Sequence, residues 1–75
     1  MRRLYVCQTR LGPFYIVLHE GQYHAVYNGD EFLGAYSSPQ HAVDDLAGGH
    51  TFSITGGTDT ATLGIPEELE EWERL

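Results

Sequence analysis

The sequence predicts an α+β domain in which one helix packs across an antiparallel sheet of four strands, with room for a fifth. Hydrophobic and polar residues alternate through residues 4–36, and that period of two is typical of half-buried strands. Over residues 38–47 the apolar spacing changes to the period of a helix. A chain of 75 residues makes a single domain, residues 1–75, and buries only roughly 60% of its unfolded surface. All elements must therefore share one core.

Short turns separate the predicted strands, which cover residues 4–9, 14–19, 22–28 and 31–36. Leu11-Gly12-Pro13, Glu20-Gly21 and Asn28-Gly29-Asp30 provide the turn chemistry. Asn-Gly favours tight hairpins because both central residues must adopt positive φ. Links this short force antiparallel neighbours, so residues 1–36 are predicted to form a meander.

Turn lengths also predict which side chains share a face. If Glu20-Gly21 is a two-residue turn, Leu18 lies opposite Tyr23, and a four-residue first loop over 10–13 then adds Tyr5 to that face. One face collects a clear core: Tyr5, Cys7, Phe14, Ile16, Leu18, Tyr23, Ala25 and Tyr27. The second face is half apolar: Leu4, Val6, Tyr15, Val17, His19, His24 and Val26. That second face is too apolar for a surface that only meets water.

A helix is predicted over residues 38–47. Ser38 can act as the N-cap, and Pro39 suits the first helical position. Gly48-Gly49 ends the helix because glycine tolerates the left-handed conformation. A helix of about ten residues is unstable alone in water, so its apolar stripe must lie on the sheet. That stripe consists of Ala42, Val43, Leu46 and Ala47.

Residues 50–65 are rich in Gly and Thr. Phe52 and Ile54 alternate with polar residues, which allows either a fifth strand at a sheet edge or a long loop.

An acidic C-terminal helix is predicted over residues 66–75, with Pro66 at its first position. Ile65, Leu69 and Trp72 fall at i, i+4 and i+7 and form one apolar stripe. A tryptophan in so small a protein is expected to be buried against other side chains. We therefore expect this tail to pack on the half-apolar second face.

Composition limits the function classes. The net charge is −7, every basic residue is Arg, and the single Cys7 excludes an intrachain disulfide. No apolar run follows Met1-Arg2-Arg3 as a signal peptide requires, and no stretch approaches a membrane span of about 20 residues. We expect a cytoplasmic protein without membrane contact.

Two histidine clusters are candidate metal sites. His19 and His24 flank the Glu20-Gly21 turn on one face, and Glu20 could supply a third ligand. In the second cluster, His41 and Asp45 lie at i and i+4 on the helix, and His50 follows its C-terminus, so this cluster could hold a cation or form an acid/base pair. The first cluster offers no fourth ligand, and hairpin ends and exposed helical pairs are the favoured interpretation of both. No metal or other cofactor is expected.

Catalytic motifs are equally weak. Cys7 lies mid-strand on the core face without a basic neighbour to lower its pKa, so it is interpreted as a small hydrophobe. The loop over residues 56–60 resembles a phosphate-binding loop but lacks the Lys and the following helix. We expect a protein that is not an enzyme.

Charge distribution is more informative than any motif. Arg2, Arg3 and Arg10 make the first strand basic, whereas residues 66–75 hold five Glu and one Arg, a net charge of −4. Opposite patches indicate either internal pairing of the tail, which effective concentration favours, or head-to-tail contact between copies. Asp44 and Asp45 oppose the helix dipole, a local misfit that sometimes marks a functional site.

The best hypothesis is a small non-enzymatic protein-interaction module that binds another protein or itself. Its candidate surface combines the second sheet face with acidic and tail residues: Tyr15, Val17, His24, Val26, Asp44, Asp45 and Trp72. Two alternatives are a nucleic-acid-binding domain and an acidic DNA mimic that occupies a basic partner.

Two resemblances accompany these patterns. Three strands followed by residues 33–43, Leu-Gly-Ala-Tyr-Ser-Ser-Pro-Gln-His-Ala-Val, resemble the AP2 and integrase N-terminal DNA-binding domains, which implies strands that enter the major groove. Residues 14–36 carry no Arg or Lys, and phosphate neutralisation supplies much of such affinity, so nucleic acid is disfavoured as a partner. Residues 44–52, Leu63-Gly64-Ile65-Pro66 and Glu71-Trp72 resemble a family of short uncharacterised bacterial proteins, which implies a stand-alone cytoplasmic domain.

Overall fold

The fold is a five-stranded antiparallel sheet with one α-helix across it. The computed structural model describes residues 1–50, 57 and 59–75. The strands are β1 (Arg2–Thr9), β2 (Gly12–His19), β3 (Gln22–Tyr27), β4 (Glu31–Tyr36) and β5 (Glu73–Arg74), and the helix is α1 (Pro39–Gly48). Two 3₁₀ turns, Thr60–Thr62 and Leu69–Glu71, lie between α1 and β5. The sheet order β4-β3-β2-β1-β5 confirms the predicted meander.

The hairpin register follows the turn chemistry. Glu20 and Gly21 both adopt positive φ, 53° and 79°, and Asn28 and Gly29 do the same at 58° and 95°. The predicted pairs across β2 and β3 are all present: Phe14 with Tyr27, Ile16 with Ala25, and Leu18 with Tyr23.

The first turn is shorter than predicted. Thr9 pairs with Gly12, which leaves two residues in the turn instead of four. The Thr9 hydroxyl donates to the Gly12 carbonyl at 2.9 Å and accepts from the Leu11 amide at 3.2 Å. A change of two residues preserves the alternation of side chains. Tyr5 and Cys7 therefore remain on the predicted face.

Two bulges shift the register, one on β1 between Arg3 and Tyr5 and one on β4 opposite Ala25 and Val26. On β4, Val26 pairs with Phe32 while Ala25 pairs with Gly34, so Leu33 is the extra residue. The bulge lets Leu33 join the core, where it is buried, and leaves Phe32 on the opposite face. Strict alternation would not have allowed this arrangement.

The helix has the predicted caps. The Ser38 side chain accepts a hydrogen bond from the His41 amide at 3.2 Å, and Pro39 occupies the first turn. Gly49 ends α1 at φ 75°, where its amide bonds carbonyls of the last turn.

The core lies between the sheet and α1, with the tail packed against both. Its buried members are Phe14, Ile16, Ala25, Leu33, Ala42, Val43, Leu46, Ile65 and Trp72. The expectation that the tail covers the second sheet face is therefore wrong. A ten-residue helix contacts β2, β3 and β4 and leaves the β1 side to be filled. Trp72 and Leu69 take that place.

The tail is not the predicted helix. One 3₁₀ turn, Leu69–Glu71, is followed by extended backbone at Trp72 and by β5, which pairs Arg74 with Tyr5 and Glu73 with Val6. Five Glu within ten residues repel one another in a helix, whereas the edge of β1 offers unpaired backbone groups. The tail is thus held internally, through backbone pairing. The strand predicted within residues 50–56 falls almost wholly outside the described residues.

Candidate functional site

The sheet surface opposite α1 is the candidate site, and we call it the open face. Cross-strand pairs place Val6, Tyr15, Val26 and Phe32 in one row across β1 to β4. A second row contains Arg3, Val17 and His24, and His19 follows at the end of β2. The predicted second face is therefore correct for all its members on β2 and β3 and for Val6 on β1.

Three valines form the floor of the open face. Val17 and Val26 have no exposed surface, and Val6 is 5% exposed. Val17 and Val26 were predicted to meet a partner, but their side chains are buried beneath their neighbours. They support the site and do not belong to its contact surface.

Three rings cluster at one end of the open face. The rings of His24 and Phe32 lie 5.0 Å apart, and the His19 ring lies 6.0 Å from that of His24 and 6.1 Å from that of Phe32. Phe32 is 43% exposed, so much of its ring is accessible on this surface. Phe32 was not predicted as a site residue, because only the β4 bulge assigns it to this face.

A cation and a ring lie at the other end. The Arg3 guanidinium lies 4.7 Å from the centre of the Tyr15 ring, a cation–π distance. The same guanidinium reaches the turn between β3 and β4, where a Cβ on Gly29 would lie 3.1 Å from Nη2. Arg3 therefore extends along the open face instead of projecting freely into water.

The open face and the helix-bearing side differ in charge. The open face carries one guanidinium, Arg3, and two imidazoles, His19 and His24. The carboxylates at its margins are Glu73 on β5 and Glu20 in the turn beside His19. On the opposite side, α1 and the tail present exposed or half-buried carboxylates: Asp44, Asp45, Glu67, Glu68, Glu70 and Glu71. The net charge of −7 is thus unevenly distributed.

Asp44, a predicted interaction residue, belongs to a bridge between α1 and the tail. The Gln40 amide nitrogen lies 2.8 Å from both Asp44 Oδ1 and the Glu67 carbonyl oxygen and donates to each. The Leu69 amide donates back to Gln40 Oε1 at 3.2 Å. One side chain therefore fixes the tail to the first turn of the helix.

Asp45 is likewise engaged within the fold. The Tyr36 hydroxyl donates to its carboxylate, and burial together with the charge of Asp45 raises the pKa of Tyr36 to about 12. His41 Nε2 lies 4.0 Å from Asp45 Oδ1, and the Tyr36 and His41 rings are 5.1 Å apart. His50 meets Asp45 only through a backbone hydrogen bond.

Neither histidine cluster assembles a metal site. His19 Nε2 lies 3.9 Å from Glu20 Oε1 as an exposed pair. The described part of the chain contains no group of three or more His, Cys, Asp or Glu side chains placed to hold a metal ion.

Trp72, also predicted to meet a partner, is 5% exposed and belongs to the core. Its indole N–H donates to the Pro66 carbonyl at 3.2 Å. Beside it runs an open groove of about 500 Å³, lined by Tyr5, Gln40, Glu68, Leu69, Glu70, Trp72 and Arg74.

Cys7 is half-buried against the core, and burial raises the pKa of its thiol. A raised pKa lowers the thiolate fraction, which agrees with its interpretation as a small hydrophobe.

Comparison of the chain with protein-family models, with curated proteins and with solved structures finds no match. Within the described residues, no helix has the length and apolar character needed to cross a membrane.

Proposed function

We propose that this chain is a small non-enzymatic interaction module whose open face binds a segment of a partner protein. The observation that carries the proposal is the exposure of Phe32, 43%, on a sheet surface that the core-forming helix and tail leave free. The tail was expected to cover this surface and instead closes the other side. The Phe32 ring, partly exposed within the ring cluster, is not a member of the core cluster.

The composition of the open face supports a protein partner. Aromatic residues and Arg are enriched at the centres of protein interfaces. Tyr15, Phe32 and Arg3 provide these side chain types on three strands of one rigid sheet. A rigid surface loses little conformational entropy on binding. The buried valine floor holds the rings in position without contributing contacts of its own.

A peptide library displayed on phage tests this proposal. Folded wild-type protein should enrich a set of peptides, and Phe32→Ser should lose them. Leu11→Ser is the matched control, because Leu11 is similarly exposed at 38% but lies in the turn between β1 and β2. Circular dichroism checks that each variant is folded.

Two results would contradict the proposal. One is a selection in which folded wild-type protein enriches no peptide. The other is a set of enriched peptides that binds Phe32→Ser as well as wild type while Leu11→Ser abolishes binding.

Nucleic acid is the second candidate partner, because exposed rings on an open antiparallel sheet can stack on bases. The resemblance to AP2 and integrase N-terminal domains also implies binding through the strands. The net charge of −7 opposes it, since phosphate contacts need cations. Binding of a duplex and of a single-stranded oligonucleotide, measured at low ionic strength and again at higher salt, decides this point. If neither oligonucleotide shows salt-dependent binding, the candidate is removed.

A further inference from the structure

We propose that the segment bound by the open face is acidic, a short peptide rich in Asp and Glu around one aromatic or aliphatic residue. This inference rests on the proposed function and specifies its partner. It is drawn from the position of the charges and rings on the two sides of the sheet.

Arg3 provides the permanent charge. Its guanidinium lies over the Tyr15 ring at 4.7 Å, and a guanidinium stacked in this way still presents N–H donors at its edge. A carboxylate is the acceptor that matches this fork, in a charge-assisted hydrogen bond. Because the ring holds the guanidinium in place, less side-chain entropy is lost when a carboxylate binds.

The histidine pair extends the same preference across the sheet. His19 and His24 border Phe32 with ring distances of 6.1 and 5.0 Å. An imidazole donates one N–H when neutral and two when protonated. In a bound peptide, one acidic side chain would lie near Arg3 and another near the histidines. An apolar residue of the peptide, placed between its two acidic residues, would then contact Phe32.

The charges on the rest of the molecule favour an acidic segment over a basic one. A basic segment would be attracted to the carboxylates of α1 and the tail, which face away from the open face. An acidic segment is repelled from that side and meets only the carboxylates at the margins of the open face, Glu73 on β5 and Glu20 in the turn beside His19. Repulsion elsewhere is a recognised means of specificity. Charge therefore directs an acidic partner to the open face.

The direct test uses two fluorescein-labelled peptides of the same length. One contains four Glu around a Phe, and the other has Gln at each Glu position. Fluorescence anisotropy should show binding of the Glu peptide that weakens as salt is raised, and little binding of the Gln peptide. Arg3→Ala should weaken binding about fivefold. Arg2→Ala is the matched control, since it removes the same charge from the adjacent residue on the helix-bearing side, and it should have less than half that effect.

Each contrary result has its own meaning. If the Gln peptide binds as tightly as the Glu peptide and Phe32→Ser abolishes both, the acidic preference is wrong and the proposed function stands. If oligothymidylate binds in an Arg3-dependent manner and the Glu peptide does not, the partner is a nucleic acid. If neither peptide nor any library member binds folded protein, both the inference and the proposed function are wrong.

Discussion

The Tyr36 ring occupies the space that a side chain at position 34 would need. A Cβ on Gly34 would lie 2.6 Å from the Tyr36 hydroxyl oxygen and 3.0 Å from Cζ. The absence of a side chain on Gly34 lets the phenol lie across β4 and reach Asp45 on the helix. A glycine in mid-strand is ordinarily unfavourable. At this position its cost is offset by a contact between sheet and helix.

Gly34→Ala should therefore destabilise the protein by about 1–2 kcal/mol, because Tyr36 must move and lose its hydrogen bond to Asp45. In a Tyr36→Ala background the same substitution should cost far less, since the space is then free. Urea unfolding followed by Trp72 fluorescence measures both values. An equal cost in the two backgrounds would show that the clash is not with Tyr36.

Tyr36 should also make stability depend on alkaline pH. Its pKa is raised from 10.0 to about 12 in the folded protein, so the folded state favours the neutral phenol. This contribution is fully present below pH 10 and is lost as the pH rises towards 12, because the unfolded chain releases the proton first. The difference in tyrosinate absorbance between wild type and Tyr36→Phe should show one group titrating near pH 12. A difference curve centred near pH 10 would contradict it.

At the scale of elements, the tail depends on one side chain of the helix. Gln40 donates to Asp44 and Glu67 and accepts from Leu69. The bond to Asp44 lies within the helix, whereas the bonds with Glu67 and Leu69 span 27 and 29 positions of the chain and fix the tail over the core. Without them the first turn of α1 and the second 3₁₀ turn would have no polar contact that the structure describes between them.

Gln40→Ala should cost about 1–3 kcal/mol, since it leaves the Leu69 amide without its partner. Gln22→Ala is the control, because Gln22 is exposed at the start of β3; it should change stability by less than about 0.5 kcal/mol. Chemical denaturation of the two variants provides the measurement. Similar values for both would mean that the tail is held by Trp72 and β5 alone.

Elements whose signals are local could be predicted from the sequence, and elements that depend on tertiary context could not. The hairpins follow from Glu20-Gly21 and Asn28-Gly29, and α1 follows from Ser38 and Gly49, because turn and cap chemistry acts within a few residues. The tail was predicted as a helix because its apolar spacing is helical, but its backbone pairs with β1, sixty-odd positions earlier in the chain. No local pattern reports that pairing.

The candidate site was predictable only in outline. Tyr15 and His24 lie on the open face as the alternation indicates. Val17 and Val26 share that face but are buried beneath larger neighbours. The alternation of residues predicts which face a side chain lies on, but it does not predict whether neighbouring side chains cover it. The position of Phe32 on the open face depends on the β4 bulge, and no turn residue in the sequence predicts that bulge. Asp44 and Asp45 bind within the fold, so their opposition to the helix dipole is explained by Gln40 and Tyr36.

At the scale of the whole molecule, the hydrophobic core cluster of the described residues lies on the helix-bearing side. Trp72 closes that core with Ile65, far in sequence from the strands on which they pack. A domain of this size has only a few kcal/mol of stability from its core. The contribution of Trp72 and Ile65 to the core is therefore a large part of the total stability.

Trp72→Ala should remove about 3–5 kcal/mol, enough to abolish cooperative unfolding. Trp72→Phe keeps most of the apolar volume and loses the bond to the Pro66 carbonyl, so it should remain folded with a lower midpoint. Thermal unfolding by circular dichroism compares the two. A Trp72→Ala protein that still melts cooperatively at the wild-type temperature would show that the tail is dispensable.

A sheet with its core on one side divides its strands into two sets of positions with different tasks. Alternate residues of β2 and β3 pack against α1, and the residues between them face the open side, where Tyr15, His19 and His24 surround buried valines. Exchange of Tyr15, His19, His24 or Phe32 can therefore alter what the surface recognises while the packing beneath α1 stays as it is. Substitutions that change the partner therefore need not be preceded by substitutions that raise the free energy of unfolding. The same separation makes the chain a convenient scaffold for designed binding surfaces.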